Sequence, residues 1–485
     1  MKATLLDPSA GIVAALEAPY SLYSDHPGWA EADPDEWWQN TVVLIGRLLS
    51  ASGASASDVA AVATTGMAPA VVLLDEHGTP LRRAMLQNDA RATVELAELG
   101  RELADADLGA RTGSALTQQS LAPTLRWVRT HEPVVWQQLA HVVGSYDWLL
   151  MQLGAAPHVE DNWSLESGLY EIDGTLAADV LAAAGWPAGS LVPVLRPGEI
   201  AGAVSRDAAD ATGLRAGTPL VVGGADHVLS AYAAGLAQPG QVLVKLGGAG
   251  DILIVADGPV VDRRLYLDRH PAPGMYLPNG CMATSGTFLR WFQRELAGGA
   301  EFAVLDREAD ASGAGAGGLV CLPYLLGEKS PIHDAEARGV FAGLDLSTTR
   351  GDLFRASLEA TGYGFRQHLD VFAELGLARS DVRVTNGGAR SRLWKQVVAD
   401  VCDVPLYPVV GHPGASLGAA IVAAVAVDAL PGWHAAERFV TLGPPIEPSS
   451  DPTARDTYEE GYSVYCDLWP AVGAISHRLA RMGQR

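Results

Sequence analysis

One succession of elements occurs twice along the chain: a β-hairpin comes first, and a strand, two adjacent glycines and a helix come later. In the first half the hairpin is predicted at 4–17 and the strand and glycines at 220–224; in the second half they are at 242–255 and 382–388. Strands that lead into helices in this way build α/β lobes. The chain is therefore predicted to form two similar α/β lobes with a cleft between them, where polar strand ends and helix N-termini would meet a ligand.

The boundary between the two halves is predicted at Pro239-Gly240, a dipeptide typical of turns. It divides the chain into domains 1–238 and 239–485, and 485 residues are too many for one ordinary core. Within the first domain, the region 92–153 is predicted to be mostly helical. The segments after residue 431 are expected to fold back onto the second domain.

The charge of the chain limits the ligands it can bind. It carries 34 Lys and Arg against 56 Asp and Glu, which gives a net charge of −22. Nucleic-acid-binding proteins usually present a basic surface, so this balance argues against that class. An anionic substrate such as ATP would have to be held locally, by helix N-termini, a few basic groups and a divalent cation.

The cysteines and the apolar segments indicate the compartment. The four cysteines are far apart and form no CxxC pair, which argues against a disulfide framework and against a zinc site. The apolar run 415–427 is too short to span a bilayer and is predicted to be a packed helix. The first residues do not resemble a signal peptide. Together these features predict a cytoplasmic protein without a membrane segment.

Asp226 is the first candidate catalytic residue, because it follows a buried strand and stands where a helix begins. Two interpretations are open. An aspartate at this place is commonly a helix cap, and position alone favours that interpretation. The alternative is a general base that accepts the proton of a substrate hydroxyl as the hydroxyl attacks a phosphoryl group. His227, beside it, is the histidine we expect to line a site.

Three further segments are candidates for ligand binding. The run Gly247-Gly248-Ala249-Gly250 could cradle a phosphate through its backbone N–H groups, although a hairpin turn alone would also need glycines, and that simpler interpretation is favoured. Gly387-Gly388 could let a nucleotide approach the backbone at a helix N-terminus, or could serve the tight turn only. The polar run 87–91 suits recognition of a hydroxylated ligand, but loops are generally polar.

Longer motifs in the sequence resemble those of one protein family. Residues 339–344, followed after seven residues by 352–359, resemble the C-terminal signature of the FGGY carbohydrate kinases, and 349–352 resembles a helix capping box. Further segments similar to that family lie at 27–31, 35–38, 221–226, 322–328, 386–391 and 415–420. The resemblance covers nearly the whole chain and is closest to the xylulokinase branch of the family.

The resemblance implies two actin-like (ribonuclease H-like) α/β domains with an interdomain cleft, the first binding the sugar and the second the nucleotide. It implies phosphorylation of a small sugar, with a pentulose such as xylulose expected, using ATP and Mg²⁺. Asp226 is then the catalytic base. The substrate-binding residues implied are Met67, Ala68, Asn88, Asp89, Arg91 and His227. The nucleotide-binding residues implied are Gly247, Gly248, Ala249, Gly286, Gly387, Gly388 and Arg390. No side chain is assigned to the metal, and a homodimer is left open.

The sequence also departs from the family pattern. Ala68-Pro69 stands where xylulokinases carry Met-His, and Gly248-Ala249 lacks the two hydroxyls of the family's Gly-Thr-Ser turn. His227 replaces an Asn or Gln, and Thr124 replaces a Lys. Two alternatives therefore stay open: a kinase for another ketose or polyol, and a sugar-sensing pseudokinase with little turnover.

A further departure concerns the first strand. In this family the first lobe opens with a strand that ends in an Asp-x-Gly-Thr/Ser turn, whose aspartate helps to organise the metal. The strand at 2–7 resembles the family's second strand, and no Asp-x-Gly-Thr/Ser turn precedes it. A strand and turn need roughly ten residues. We therefore expect that about this many residues are missing and that the chain as given has weak activity.

Overall fold

The computed structural model describes residues 1–187, 191–385, 387–411 and 414–482. The strands of the first half are β1 Lys2–Asp7, β2 Gly11–Glu17, β3 Glu31–Ala32, β4 Val62–Gly66, β5 Val72–Leu74, β6 Ala84–Met85, β7 His141–Val143, β8 Val159–Glu160, β9 Val194–Leu195, β10 Ile200–Ala203 and β11 Pro219–Ala225. Those of the second half are β12 Val242–Leu246, β13 Gly250–Ile254, β14 Tyr266–Arg269, β15 Tyr276–Met282, β16 Val320–Leu322, β17 Val340–Ala342, β18 Val382–Thr385, β19 Leu406–Val410 and β20 Thr441–Leu442.

The helices connect these strands and cover the sheets. In the first half they are α1 Pro34–Ser52, α2 Thr93–Glu102, α3 Leu108–Thr112, α4 Leu121–His131, α5 Pro133–Gln138, α6 Ser145–Leu153, α7 Asp161–Glu166, α8 Ala178–Ala184, α9 Arg206–Thr212 and α10 Asp226–Ala233. In the second half they are α11 Gly286–Glu295, α12 Phe302–Ser312, α13 Arg350–Glu374, α14 Arg392–Cys402, α15 Ala415–Ala426 and α16 Pro452–Met482.

The repeated succession of elements is confirmed. The hairpins β1–β2 and β12–β13 are antiparallel, and both later strands, β11 and β18, lead towards helices, α10 and α14. In the second lobe seven of the described strands form one sheet in the order β14-β15-β13-β12-β18-β19-β20, and β16 and β17 pair separately. In the first lobe β4 pairs in parallel with β11, and β10 pairs with β11 on the other side. The α/β fold with two lobes follows from this pairing.

The first-lobe sheet has a gap that the second-lobe sheet does not have. In the second lobe, β12 lies between β13 and β18 and pairs with both. Among the described residues of the first lobe, no strand pairs β1 with β4, and a cavity of about 280 Å³ lies between them. Its walls are mostly apolar side chains of β1, β4, α1 and α15. The β1–β2 hairpin is therefore held to the lobe by side-chain packing.

The region 92–153 is mostly helical, as predicted, but its run of helices α2 to α6 is interrupted by strand β7, which pairs with β5. Strand β11 is longer than predicted, since it continues through both glycines to Ala225. At Gly223 an added Cβ would overlap the carbonyl oxygen of Thr64 on β4, so the glycine serves close strand approach rather than a turn.

Elements of the second half pack as predicted, except that helix α15 packs against the first half. Thr349 and Asp352 form the predicted capping box at the start of α13. The last helix, α16, packs against α14 and β16, so the C-terminal segment does fold back onto the second lobe. By contrast, α15 packs against α10, β4 and β1 of the first half. The two halves therefore share a core cluster between α10 and α15.

Candidate active site

Asp226 is the first residue of α10, directly after the buried strand β11. The helix cap is Ala225, and no side-chain hydrogen bond caps this end. The helix-cap interpretation of Asp226 is therefore wrong. Its side chain is 50% exposed and faces a cavity, as a group that acts on a ligand must.

The cavity beside Asp226 has a volume of about 330 Å³ and is lined by both halves of the chain. Its polar walls suit a ligand with several hydroxyl groups, because carboxylates, amides and ammonium groups can pair with each hydroxyl. The polar and charged side chains of the lining include Gln87, Gln119, Glu166, Asp226, His227, Lys245, Asp251, Asp268, Asn279 and Lys329.

The charges around Asp226 keep it ionised. Burial would raise its pKa, but the interaction with His227 and the positive charge of Lys245 outweigh burial and lower the pKa below its ordinary value. A carboxylate in this state can accept a proton at neutral pH. The arrangement provides a general base at the edge of a polar cavity.

Lys245 supplies a positive charge next to the Gly247–Ala249 turn. It stands opposite Asp251 in the β12–β13 hairpin, with Nζ 3.0 Å from Oδ2. Burial would lower the pKa of Lys245, but Asp251 and Asp226 raise it above its ordinary value. A permanently protonated amine two residues before the turn is well placed to attract a phosphate. Sequence reasoning missed this residue, although a lysine inside the apolar run 242–246 was a visible signal.

The predicted nucleotide residues 247–249 and Gly286 lie together. The backbone N–H of Gly286 donates to the Gly247 carbonyl at 2.8 Å, and the Ser285 N–H donates to the Gly248 carbonyl at 2.8 Å. A Cβ on Gly286 would come within 2.6 Å of the Gly247 oxygen, so only glycine fits there. Ala249 lines the cavity. The turn is thus fixed against the N-terminus of α11.

The other predicted nucleotide residues form a separate surface. Gly387, Gly388 and Arg390 belong to a short 3₁₀ turn between β18 and α14, whose N-cap is Ser391. Gly388 packs on the Trp394 ring and beside Leu246 of β12, and a Cβ at this position would overlap the ring. This 3₁₀ turn therefore lies next to the end of β12, from which the 247–249 turn continues. It does not line the cavity. Asn386, which belongs to the same motif, lies outside the described residues.

Asp89 and Arg91 are engaged with each other rather than with the cavity. The Arg91 guanidinium lies 2.7 Å from both Glu31 and Asp89 and stacks 3.8 Å above the Trp29 ring. Asp89 also accepts the Ala30 N–H at 2.7 Å. Burial opposes the charge of Arg91, but the two carboxylates raise its pKa. The pair fixes the course of the 87–91 segment.

Three further predicted substrate residues do not line the cavity, although residues next to them in the sequence do. Asn88 is exposed, and Met67 and Ala68 are half-buried and buried. None of the three lines the cavity beside Asp226, whereas their neighbours Gln87 and Pro69 do. The predicted segments therefore reach this cavity, but the side chains that line it belong to the adjacent residues.

His227 lies in the cavity wall, as predicted, and is bound to residues that the sequence did not single out. Its Nε2 donates to Oδ2 of Asp268 at 2.8 Å and lies 3.8 Å from Oε1 of Glu166. Burial would lower the pKa of His227, but Asp268 and Glu166 raise it well above its ordinary value. Burial raises the pKa of Glu166 to about 8. Residue types and spacing alone could not reveal this cluster, because its members are up to a hundred positions apart in the sequence.

Two further expectations concern the cysteines and the helix lengths. The four cysteines, Cys281, Cys321, Cys402 and Cys466, are free thiols. Among the helices of the described residues, none has the length and apolar composition needed to cross a membrane.

Comparison with known proteins gives a consistent result. The N-terminal domain model of the FGGY family of carbohydrate kinases matches residues 1–233, and its C-terminal domain model matches 255–427. The chain is 30% identical to a xylulose kinase from Escherichia coli K12, with 88% of each chain covered. It is 27% identical to a xylulose kinase from Staphylococcus epidermidis, covering 96% of this chain and 93% of that one.

A solved structure agrees. The crystal structure of xylulose kinase from Rhodospirillum rubrum superposes with a TM-score of 0.90 and 42% sequence identity, covering 96% of this chain and 95% of that chain. These matches give the pseudokinase alternative no support. The chain belongs to the FGGY family of carbohydrate kinases and is an ATP-dependent sugar kinase.

Proposed function

We propose that this kinase transfers the γ-phosphoryl group of MgATP to a hydroxyl of a five-carbon ketose, with xylulose as the first candidate. The observation that carries the proposal is the ionised Asp226 carboxylate at the edge of a polar cavity lined by both halves. The relatives named above, which are xylulose kinases, support the choice of sugar.

Asp226 acts as the general base in this proposal. It accepts the proton of the attacking sugar hydroxyl while that oxygen bonds to the γ-phosphorus and ADP leaves with the bridging oxygen. Lys245 and the backbone N–H groups of the Gly247–Ala249 turn stabilise the charge on the transferred group. Mg²⁺ arrives as part of the MgATP substrate, and we assign it no protein ligand.

The sugar is held by the polar lining of the cavity. Gln87, Asn279 and Glu166 offer an amide, a second amide and a carboxyl group that is mostly protonated at neutral pH. We assign Asn88, Asp89 and Arg91 to the same function indirectly: the Arg91 ion pairs fix the loop that presents Gln87. Met67 and Ala68 act in the same way for the loop that presents Pro69.

The nucleotide lies on the second half in this proposal. Its phosphates approach the turn 247–249 and Gly286, and its base and ribose lie against Gly387, Gly388 and Arg390. Support comes from the position of the two turns at the ends of the adjacent strands β12 and β18. We retain the domains 1–238 and 239–485, a cytoplasmic location, and a homodimer as an arrangement to be tested by sedimentation.

A substrate screen tests the proposal. ADP release should be measured with a panel of pentuloses, hexuloses and polyols at saturating MgATP. We expect the highest kcat/KM with a pentulose. A clear preference for a hexulose or polyol would replace the substrate while keeping the reaction, whereas no stimulation by any sugar would contradict the proposal.

A further inference from the structure

The hydrogen bond between His227 and Asp268 joins the two halves of the molecule at the floor of the cavity. His227 is in the first turn of α10 and directly follows Asp226. Asp268 is on β14, the edge strand of the second-lobe sheet. Because a carboxylate only accepts, the proton of the 2.8 Å bond is on Nε2 of the imidazole.

Both ends of this bond are fixed. Asp268 is 3% exposed, and Nδ2 of Asn279 on β15 donates to the same oxygen at 2.8 Å. The next residue, Arg269, is attached to α7 of the first half: its N–H donates to Oδ1 of Asn162 at 2.6 Å, and its guanidinium pairs with Asp161. The edge strand is therefore held at the first lobe, and it presents Asp268 as a rigid acceptor.

The other ring nitrogen of His227 faces Asp226. Nδ1 lies 3.7 Å from Oδ1 of Asp226, so the imidazole stands between two carboxylates. A charge placed there orients and stabilises the ionised form of the carboxylate beside it. The imidazole therefore connects the proposed base with Asp268 of the second lobe.

We propose that Asp268 and His227 are positioning residues, which tie the first turn of α10 to the second lobe and fix the Asp226 carboxylate relative to Lys245 and the 247–249 turn. This inference rests on the proposed role of Asp226. It assigns to both residues a role that they exert through Asp226. It also explains why a histidine follows the base in this chain.

The link should respond to pH in a defined direction. The titratable groups that face His227 are Asp226 on its own helix, Glu166 on α7, Asp268 on β14 and Asp251 on β13. Since the pKa of His227 is raised, the ion pair is intact at neutral pH and is lost as pH rises through that pKa. The rate should therefore fall on the alkaline side. Glu166, whose pKa is about 8, titrates nearby, so Glu166→Gln serves to separate its contribution.

The test compares pH profiles of kcat and KM for the sugar and MgATP in the wild type, Asp268→Asn and His227→Asn. Asp268→Asn keeps the size and the acceptor but removes the charge. We expect kcat to fall about 10- to 100-fold with the KM of MgATP within about threefold, since a small misplacement of a reacting group has this effect. Its alkaline limb should move to lower pH, because the imidazole loses its main anionic partner. An alkaline fall in rate that remains in Glu166→Gln should be absent when His227→Asn is added to that variant.

A matched control is available. Asp334 and His477 form another His–Asp pair with a 2.7 Å contact, outside the cavity lining. Asp334→Asn should leave kcat and the pH profile unchanged. If Asp268→Asn does not fold, His227→Gln tests the same link from its more exposed end, where the side chain is 27% exposed.

The outcomes separate this inference from the proposed function. If Asp226→Asn is inactive while Asp268→Asn and His227→Asn keep the wild-type kcat and pH profile, the positioning role is wrong and the base assignment stands. If Asp226→Asn stays active, the base assignment itself fails. A lower melting temperature in Asp268→Asn without a shifted alkaline limb would show a purely structural ion pair.

Discussion

At the scale of single residues, the account depends on charges that lie within a few ångströms of Asp226. Lys245 lies two residues before the proposed phosphate turn, and its partner Asp251 is directly opposite in the hairpin. Removing the amine alone leaves a carboxylate without its partner. Removing both charges separates the catalytic effect of Lys245 from its effect on stability.

We therefore predict that Lys245→Met lowers kcat/KM for MgATP by about 10²-fold, as expected for loss of a charge that stabilises the transition state. It should also destabilise the fold by about 1–3 kcal/mol, because Asp251 loses its partner. The double variant with Asp251→Asn should regain most of the stability and none of the activity. Steady-state kinetics and denaturant unfolding check both; recovery of activity in the double variant would contradict a catalytic role for Lys245.

Arg91 allows a second prediction at this scale. Arg91→Gln should destabilise the protein by about 3–5 kcal/mol, since Asp89 would keep a buried charge without a cation and Glu31 would lose one of its arginine partners. If its role is to fix the Gln87 loop, the sugar KM rises while kcat stays within about tenfold. Gln87→Ala should raise the sugar KM without loss of stability. A stable Arg91→Gln variant with a greatly weakened sugar affinity would instead indicate direct contact with the sugar.

The residues that the sequence could and could not predict differ in a physical way. Asp226 and the turn at 247–249 follow strand ends, which local patterns reveal. Glu166 and Asp268 come from elements a hundred residues apart, and only tertiary packing brings them together. The family resemblance implied that Arg91 binds sugar, but the fold places acidic and aromatic partners around it.

At the scale of elements, strand β11 positions the base. The sequence predicted a strand followed by two glycines, and the strand instead continues through both glycines to Ala225. The glycines have unequal roles: Gly223 approaches the Thr64 carbonyl too closely for any side chain, whereas a Cβ on Gly224 would be 3.4 Å from Leu229. Local pattern could not reveal this, because the constraint comes from the neighbouring strand β4.

This difference gives a matched pair of variants. Gly223→Ala should destabilise the fold by at least about 1–3 kcal/mol, as expected for overpacking, and should lower kcat because β11 carries Asp226. Gly224→Ala should have a much smaller effect on both. Thermal unfolding and kinetics of the two proteins check the prediction, which equal behaviour of the two variants would refute.

At the scale of the whole molecule, the cavity is built from both halves, so access and closure depend on their relative position. The halves are connected near residues 238–240, where we place the hinge, and also through α15 and the His227–Asp268 bond. Binding of both substrates should draw the halves together and exclude water from the transfer. Small-angle scattering with sugar and a nonhydrolysable nucleotide should show a smaller radius of gyration than the free protein. An unchanged radius with both ligands bound would contradict closure.

The central claim is that Asp226 is the base of a sugar kinase, and the rate of ADP release by Asp226→Asn with xylulose tests it most directly. Asparagine preserves the size and the position but cannot accept the proton. We expect the rate to fall about 10²–10⁴-fold, with the melting temperature and the sugar affinity close to those of the wild type. A folded variant whose rate stays within about threefold of the wild type would show that proton transfer does not depend on Asp226.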